Sequence, residues 1–417
     1  MLVRTLEQGG LSHIVLSGTF SSGDFSTQEK AFIKRVYSGT IEKLVYIDFL
    51  ISRFSRVPLN KMKPVIRNIL RMGIYQLVFM EHIPAYSVID ESVKLARRRG
   101  FNNLCPFVNA VLRSVQRNEE NNKEDLPGYV KALFPEWLYD LIISQYGEKT
   151  GMEYFNAVKK EKEETYIRLN TLKGSEEEII RALEQEGCIV NKTETGFPDG
   201  LYSYGIKGFE SLTELDSFKK GLFIVQDPSS MLSVSDSLRF IDENHLTIDV
   251  CAAPGGKSLL MAQLFPEARI ISRDLTGTKT SLIEDNITRL GIRNIETQTA
   301  DASIYDEKMR GCADVVIADL PCSGLGVVKK KPDILFRLKK EDLAGLQDLQ
   351  RSILGVVQNY VKPGGILIYS TCTVNRMENE ENAKWLKDNY NLELLNERLL
   401  LPGTWEFDGF YYAYFRK

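Results

Sequence analysis

The sequence predicts a multidomain protein with an all-α domain first, a small α+β module next and an α/β domain last. Three observations support this order. Apolar residues recur at helical spacing up to residue 117, strands and helices alternate from residue 246 onward, and mixed elements lie between. A chain of 417 residues is long enough for two or three domains. We expect domains at residues 1–120, 126–240 and 241–417.

Composition indicates a globular protein, with 43% hydrophobic and 26% charged residues. No charged-then-apolar leader follows Met1 and no apolar run could span a bilayer, so we expect a soluble, cytoplasmic protein without a membrane segment. The six cysteines include no Cys-x-x-Cys pair, which argues against a zinc site and a disulfide framework, and we expect no metal. With three histidines, none beside a candidate nucleophile, cysteine and aspartate must carry any chemistry.

Helical signals fill residues 26–117. A capping box begins at Ser26, and apolar residues follow at helical spacing as far as Val45. Further helices are predicted over residues 62–80, from an N-cap at Ser87 to residue 99, and over residues 106–116.

Basic residues are concentrated in this first domain although the formal charge of the whole chain is −3. Residues 53–117 contain 12 Lys and Arg against three acidic residues. Such a run is either a solvated face or a nucleic-acid surface. The candidates for contact with nucleic acid include Arg97, Arg98 and Arg99.

A polar linker is predicted at residues 118–125, and a small α+β module follows it. The module should contain a helix over residues 129–146, a strand over 166–169, a capped helix over 175–185 and a strand over 221–226. These elements alone do not indicate a function.

The last domain should contain a parallel sheet covered on both faces, with its ligand crevice at the carboxyl ends of the strands. The predicted strands cover residues 246–250, 268–272, 295–299, 313–318 and 365–369. The aromatic segment 409–416 is expected to close the sheet as an edge strand.

A glycine turn between the first strand and its helix is the expected ligand site. Its residues are Cys251, Ala252, Ala253, Pro254, Gly255, Gly256 and Lys257. Gly256-Lys257-Ser258 is similar to the end of a phosphate-binding P-loop, but that loop needs glycine where Cys251 stands. A methyl-donor pocket instead expects an acid at the end of the next strand for ribose hydroxyls, and Asp274 lies 18 residues after Gly256.

Other polar residues also follow strands of this domain. They are Asp301, the segment Asp319-Leu320-Pro321-Cys322, and Thr371-Cys372. A single free cysteine is usually a small buried hydrophobe, but two cysteines at the ends of neighbouring strands favour chemistry. Lys329, Lys330, Lys331 and Arg337 follow Cys322 and either grip phosphates or form a solvated loop.

Three separated motifs resemble those of the RNA cytosine-C5 methyltransferases. They are residues 249–258, residues 319–324, and Ser370-Thr371-Cys372-Thr373 with Glu378-Asn379-Glu380 following. The similarity extends through residues 223–230, and the helical front resembles the NusB-type domain of the RsmB (Sun, Fmu) branch, although it begins short. The resemblance implies a Rossmann-like domain with a mostly parallel seven-stranded sheet.

The resemblance also implies site roles. Cys372 is the expected nucleophile, Cys322 assists proton removal and release, and Asp319 contacts the base. S-adenosylmethionine is the expected cofactor, held by the glycine turn with Asp274, Asp301 and Asp319. The expected substrate is 16S ribosomal RNA, naked or in an early assembly particle, with cytosine 967 as the target.

Two alternatives stay open at this point. A DNA-type enzyme would take its nucleophile from Pro321-Cys322, and the additional Thr371-Cys372 favours RNA. An RNA chaperone or assembly factor with a vestigial methylase domain would need neither cysteine. We expect a monomer.

Overall fold

A computed structural model describes residues 1–118, 126–160, 164–193, 196–198, 201–241 and 243–417 of the chain. These residues form two compact units. Unit one comprises Met1–Met152 and Lys331–Lys340, and unit two comprises Glu153–Lys330 and Glu341–Lys417. The predicted linker lies, from residue 119 to residue 125, outside the described residues.

Unit one is helical. Its helices are α1 Leu2–Leu6, α2 Ser12–Ser22, α3 Thr27–Glu42, α4 Leu44–Phe54, α5 Pro64–Phe79, α6 Ala85–Arg98, α7 Cys105–Arg117, α8 Gly128–Ala132 and the first part of α9 Glu136–Lys159. Helix α5 lies at the centre, where Leu70 and Ile74 are fully buried with Leu50 of α4 and Leu112 of α7. The predicted capping box is confirmed, because the Ser26 side chain accepts from the Glu29 N–H and the Glu29 carboxylate accepts from the Ser26 N–H.

Several helix boundaries differ from the prediction. The run to Val45 is divided at Lys43 between α3 and α4. Helix α6 has its N-cap at Pro84 and not at Ser87, whose N–H already donates to the Pro84 carbonyl within the first turn. The helix predicted over residues 129–146 is interrupted at Leu133, whose φ of 63° is left-handed, before Pro135 precedes α9.

The segment Lys331–Lys340 also clusters with unit one. Its short helix α15 Ile334–Arg337 lies beside the amino-terminal helices: Ser12 Oγ donates to Asp333 at 2.7 Å, and Phe336 packs against the cluster containing Leu2 and Val15. The sequence predicted one continuous domain over residues 241–417 and so did not place Lys331–Lys340 with unit one. The contact between Ser12 and Asp333 joins residues far apart in sequence.

The first part of unit two is a four-stranded antiparallel sheet in the order β2-β3-β1-β4. Its elements are β1 Thr165–Leu169, α10 Glu176–Gln185, β2 Ile189–Lys192, β3 Tyr204–Lys207, α11 Asp216–Lys219 and β4 Phe223–Val225. Strands β1 and β4 and the capping box at Ser175 were predicted, whereas β2 and β3 were not.

The rest of unit two is the expected mostly parallel sheet of seven strands. Its strands are β5 Leu246–Asp249, β6 Arg269–Asp274, β7 Ile295–Thr299, β8 Ala313–Asp319, β9 Val361–Thr371, β10 Glu393–Leu400 and β11 Phe410–Arg416, and its helices are α12 Pro228–Ser235, α13 Gly256–Leu264, α14 Gly277–Leu290, α16 Asp342–Val357 and α17 Glu380–Asn389. The order is β10-β11-β9-β8-β5-β6-β7, with β5 to β9 parallel and β11 antiparallel to both neighbours.

The prediction that residues 409–416 form an edge strand is wrong. Strand β11 pairs with β9 on one side and with β10 on the other. Its residues from Tyr411 to Phe415 are fully buried, which suits an interior position. The edge strand is β10, which was not predicted. Its polar residues, which include Glu393 and Glu397, interrupt the apolar pattern and are typical of an edge strand.

Strand β5 lies between β6 and β8, so the chain crosses from one half of the sheet to the other beside it. Ligands bind at such a switch point, outside the carboxyl ends of the strands.

Candidate active site

The glycine turn begins where β5 ends. Gly255 has a φ of 104°, a backbone conformation that favours glycine, and α13 starts at the next residue. The Ala252 N–H donates to the Arg273 carbonyl at 2.9 Å, which fixes the turn against β6. The backbone therefore bends sharply at the carboxyl edge of the sheet, as the sequence predicts.

Asp274 closes β6 directly beside this turn. One carboxylate oxygen accepts from the Ala253 N–H at 3.0 Å, and the other accepts from the Leu275 N–H at 2.7 Å. Lys279 from α14 forms an ion pair with the same carboxylate at 2.9 Å. The turn and the predicted ribose acid are thus brought together, and the glycine backbone and acceptor oxygens fit a nucleoside cofactor.

The Lys257 ammonium group is held by side chains of the protein. These contacts account for a lysine at this position without a phosphate-binding role. Its Nζ donates to Asp319 at 2.6 Å and to Ser230 Oγ at 3.2 Å. The other Asp319 oxygen accepts from Ser370 Oγ at 2.8 Å. Asp319 is therefore held in place from β9 and α13, with a third of its side chain exposed.

Asp249, at the end of β5, and Cys251, in the turn, both have raised pKa values. Asp249 accepts from Ser258 Oγ at 2.7 Å, and burial raises the pKa of Asp249 to about 7. Burial, followed by the nearby carboxylates of Asp249, Asp274 and Asp319, raises the pKa of the Cys251 thiol. Cys251 is accordingly a protonated part of the turn.

Cys322 and Cys372 lie in contact. Their sulfur atoms are 3.3 Å apart, because the neighbouring parallel strands β8 and β9 end at the same edge of the sheet. Neither residue is in a disulfide. The interaction with Cys372, followed by burial, raises the pKa of Cys322 well above its ordinary value. Cys322 thus keeps its proton and can donate it to the second sulfur.

Glu378 joins the two loops that carry these cysteines. Its carboxylate accepts from the Ser323 N–H at 2.8 Å and from Ser323 Oγ at 2.5 Å, next to Cys322. It also accepts from Asn375 at 3.0 Å and from Gln350 at 3.1 Å. Glu378 is completely buried. Sequence reasoning noted Glu378 within a motif but gave it no role.

A chain of polar contacts links the small sheet to the glycine turn. Gln226 donates to the Gly256 carbonyl at 3.2 Å and accepts from Arg168 Nε at 2.8 Å. Burial lowers the pKa of Arg168 to about 9. The Phe223–Ser230 similarity pointed to this region, but only the fold shows the contact.

Asp301 follows β7 and is exposed. Its carboxylate accepts from Ser303 Oγ at 2.6 Å and from the Ser303 N–H at 2.9 Å, and these bonds lower the pKa of Asp301. The orientation of the Asp301 side chain is therefore fixed by hydrogen bonds within its own turn.

The predicted basic residues occupy different settings. Lys330 forms ion pairs with Asp227 and Asp408 and is one-quarter exposed, so its charge is already neutralised within the protein. Arg337 pairs with Asp333 at 3.5 Å in unit one, as part of the same segment as Lys331. Arg97, Arg98 and Arg99 are exposed at the end of α6.

Family models match three successive parts of the chain. The NusB family matches residues 2–117, a ferredoxin-like domain of RsmF/B-like methyltransferases matches 134–202, and the 16S rRNA methyltransferase RsmB/F matches 238–416. A probable ribosomal RNA small subunit methyltransferase B from Bacillus subtilis is 32% identical, over 91% of this chain and 85% of the relative. The chain belongs to the RsmB/F family of 16S rRNA methyltransferases. S-adenosylmethionine is therefore its methyl donor.

Other relatives agree with this membership. The ribosomal RNA small subunit methyltransferase B of Proteus mirabilis is 28% identical over 94% of this chain and 92% of its own. The crystal structure of PH0851 superposes with a TM-score of 0.78 at 25% identity, covering 94% of this chain and 91% of that one. A methyltransferase homologue from Pyrococcus horikoshii has a TM-score of 0.59 at 26% identity, covering 69% and 97%.

Within the residues that the structure describes, no helix is both long and apolar enough to cross a membrane. The same residues contain no group of three His, Cys, Asp or Glu side chains placed to hold a metal ion.

Proposed function

We propose that this chain methylates C5 of a cytosine in 16S ribosomal RNA, at position 967, through a covalent bond between Cys372 and C6. The observation that carries the proposal is the 3.3 Å contact between Cys322 and Cys372 beside the glycine turn. A pair of thiols at this place suits a reaction in which one sulfur forms a bond and the other assists its release.

Cytosine C5 is too weak a nucleophile to attack a methyl sulfonium directly. The Cys372 sulfur first bonds to C6, which makes C5 an enamine carbon. S-adenosylmethionine supplies the methyl group that C5 then takes. Removal of the C5 proton lets the C6–S bond break, and its electrons return to Cys372.

The two cysteines divide this work. The contact with Cys372, followed by burial, raises the pKa of Cys322, so Cys322 keeps its proton in the free enzyme, and we assign the attacking thiolate to Cys372. Once Cys372 is bonded to C6, its interaction no longer raises the pKa of Cys322, which loses its proton to solvent. The Cys322 thiolate then takes the C5 proton, and the C6–S bond breaks to release the RNA. The buried Glu378 contacts keep the two loops, and therefore the two sulfurs, together.

Asp319 is the proposed base contact. Its bonds to Lys257 and Ser370 leave carboxylate lone pairs available, and its side chain is a third exposed. The carboxylate accepts from the cytosine amino group and from N3–H once N3 is protonated. Both bonds favour the adduct over the free base.

The methyl donor is proposed to lie along residues 251–257. Asp274 accepts from the ribose hydroxyls, Asp301 accepts from the adenine amino group, and Asp319 borders the methionine end. Ala253 and Leu275 N–H groups keep the Asp274 oxygens aligned for this contact.

The substrate cytosine must be unstacked, because thiol and donor approach opposite faces of the ring. A looped or single-stranded region of the RNA, naked or in an early assembly particle, meets this need. Lys329, Lys331, Arg337, Arg97, Arg98 and Arg99 are the proposed phosphate contacts. The proposed enzyme is a cytoplasmic monomer.

Product analysis tests this function. The protein is incubated with S-adenosylmethionine and small-subunit rRNA, as free RNA and as an assembly intermediate, and the RNA nucleosides are identified by mass spectrometry. We expect 5-methylcytidine, located at position 967 by bisulfite sequencing. Cys312→Ala, which changes a cysteine outside the site, should retain the activity. Methyl transfer to another atom would contradict the proposal, and no transfer to either RNA would favour an assembly factor.

A further inference from the structure

A cavity of about 890 Å³ lies beside the catalytic cysteines in unit two. We name it the side pocket. Its walls come from the end of α9, strand β1, the loop after Cys322 and the loop before β11. Its volume falls within the range of ligand sites, and its lining combines aromatic rings with charged side chains. Of its lining residues, only Lys329 has a role in the proposed function, as a phosphate contact.

The side pocket shares a wall with the active site. Gly326, which lines the pocket, donates its N–H to the Cys372 carbonyl at 3.0 Å. Gly409 donates its N–H to the Gly326 carbonyl at 2.8 Å, and a Cβ at Gly326 would lie 1.9 Å from the Gly409 oxygen. This close backbone packing places the cavity immediately behind Cys372.

The occupant is nevertheless not the target cytosine. Neither Cys322, Cys372 nor Asp319 lines the side pocket, and only the backbone carbonyl of Cys372 contacts its wall. A base held there would be one nucleotide or a few away from the base bonded to Cys372.

The aromatic residues of the side pocket form a rigid group. Phe407 packs edge to face against Tyr166, with ring centroids 4.9 Å apart, and against Trp405 at 5.4 Å. The Trp405 indole N–H donates to Ser229 Oγ at 2.8 Å, which fixes its ring. Bases stack on aromatic rings of this kind in proteins that bind single strands.

The polar lining can hydrogen-bond to the edge of a base. Glu406 presents carboxylate oxygens, which accept from amino groups and repel phosphate. The carboxylates of Glu164 and Asp408 are already bonded, to Asn191 and to Lys330. Lys160 and Lys329 supply positive charge, while Lys330 is paired with Asp227 and Asp408. Adenine, guanine and cytosine carry an exocyclic amino group, and uracil does not.

We propose that the side pocket binds the base of a nucleotide flanking the target cytosine, stacked on its aromatic residues and selected by its amino group. The proposal rests on the proposed function, in which an unstacked cytosine reaches Cys372. It adds a second base contact through which the enzyme recognises the sequence around its target.

Affinity measurements that combine altered RNAs with protein variants test the proposal without depending on methyl transfer. Short RNAs containing the target cytosine carry one abasic nucleotide at each successive flanking position, and their affinities are measured by fluorescence anisotropy. At one position, loss of the base should weaken binding to the wild type about ten-fold or more. With Tyr166→Leu the penalty at that position should disappear, whereas Tyr202→Leu, outside the pocket, should retain it.

A second variant, Glu406→Gln, tests the proposal even if Tyr166→Leu fails to fold. Glu406 is on an exposed loop, so Glu406→Gln should leave the thermal unfolding temperature unchanged and reduce the preference for an amino-bearing base over uracil at the same position. The absence of any position whose penalty depends on Tyr166 or Glu406 would overturn the pocket. Absence of 5-methylcytidine from the wild-type reaction would instead overturn the proposed function.

Discussion

Asp274 is the residue at which sequence spacing and geometry agree most closely. The distance from the glycines suggested an acid at the end of the next strand, and the carboxylate accepts N–H groups from both sides of the turn. Cys322 and Cys372 were predicted in the same way, because strand ends were recognisable from apolar runs. The bonds of Lys257 to Asp319 and of Lys330 to Asp227 and Asp408 were not predictable, since each joins distant segments.

Asp274→Asn should weaken binding of S-adenosylmethionine about ten-fold or more, because an amide cannot replace both charged acceptor oxygens. Isothermal titration calorimetry measures the dissociation constant. Asp285→Asn, an exposed aspartate on the adjacent helix, is the matched control and should match the wild type. An unchanged constant in Asp274→Asn would remove Asp274 from the cofactor site.

At the scale of elements, the loops after β8 and β9 work as one unit because Glu378 bonds to both. The alternation of strands and helices made the five parallel strands predictable, with ends shifted by a few residues, although β7 itself is mostly polar. Strand β10 was missed because polar residues interrupt its leucines and leave no continuous apolar run, and that omission put β11 at the edge. Pairing of strands distant in sequence cannot be derived from the pattern of one segment.

Glu378→Gln should lower kcat for methyl transfer about ten-fold or more, because the neutral amide cannot accept all the bonds that hold the two cysteine loops. The affinity for S-adenosylmethionine should stay unchanged, since Glu378 lies away from the glycine turn. Single-turnover kinetics below the unfolding temperature separate this positioning effect from lost stability. Glu393→Gln on the exposed edge strand is the control, and an equal kcat in both variants would refute the role of Glu378.

For the whole molecule, the order of domains followed from the change in periodicity along the chain. The grouping of Lys331–Lys340 with unit one did not, because it depends on contacts such as that of Ser12 with Asp333. The distribution of charge in the sequence was also not enough to identify the residues that could contact RNA. The sequence showed a basic front, but only the structure separated its exposed arginines from Arg67 and Arg71, which are paired with Glu7 and Asp48.

The triple variant Arg97→Ala, Arg98→Ala, Arg99→Ala should weaken RNA binding and reduce its salt dependence. Three phosphate contacts on a single strand would change the slope of log affinity against log salt by about two. Lys94→Ala is the control on the same helix, because Lys94 is paired with Asp90 and Glu91. Binding titrations at several salt concentrations measure both slopes, and identical slopes would contradict phosphate contact at residues 97–99.

The division of work between the two cysteines is the central claim, and trapping the covalent adduct tests it most directly. Wild type, Cys322→Ser and Cys372→Ser are incubated with S-adenosylmethionine and small-subunit rRNA and separated on denaturing gels. We predict an RNA-linked band that survives denaturation and accumulates in Cys322→Ser, because release fails there. A band that accumulates in Cys372→Ser and never in Cys322→Ser would reverse the roles and contradict the account.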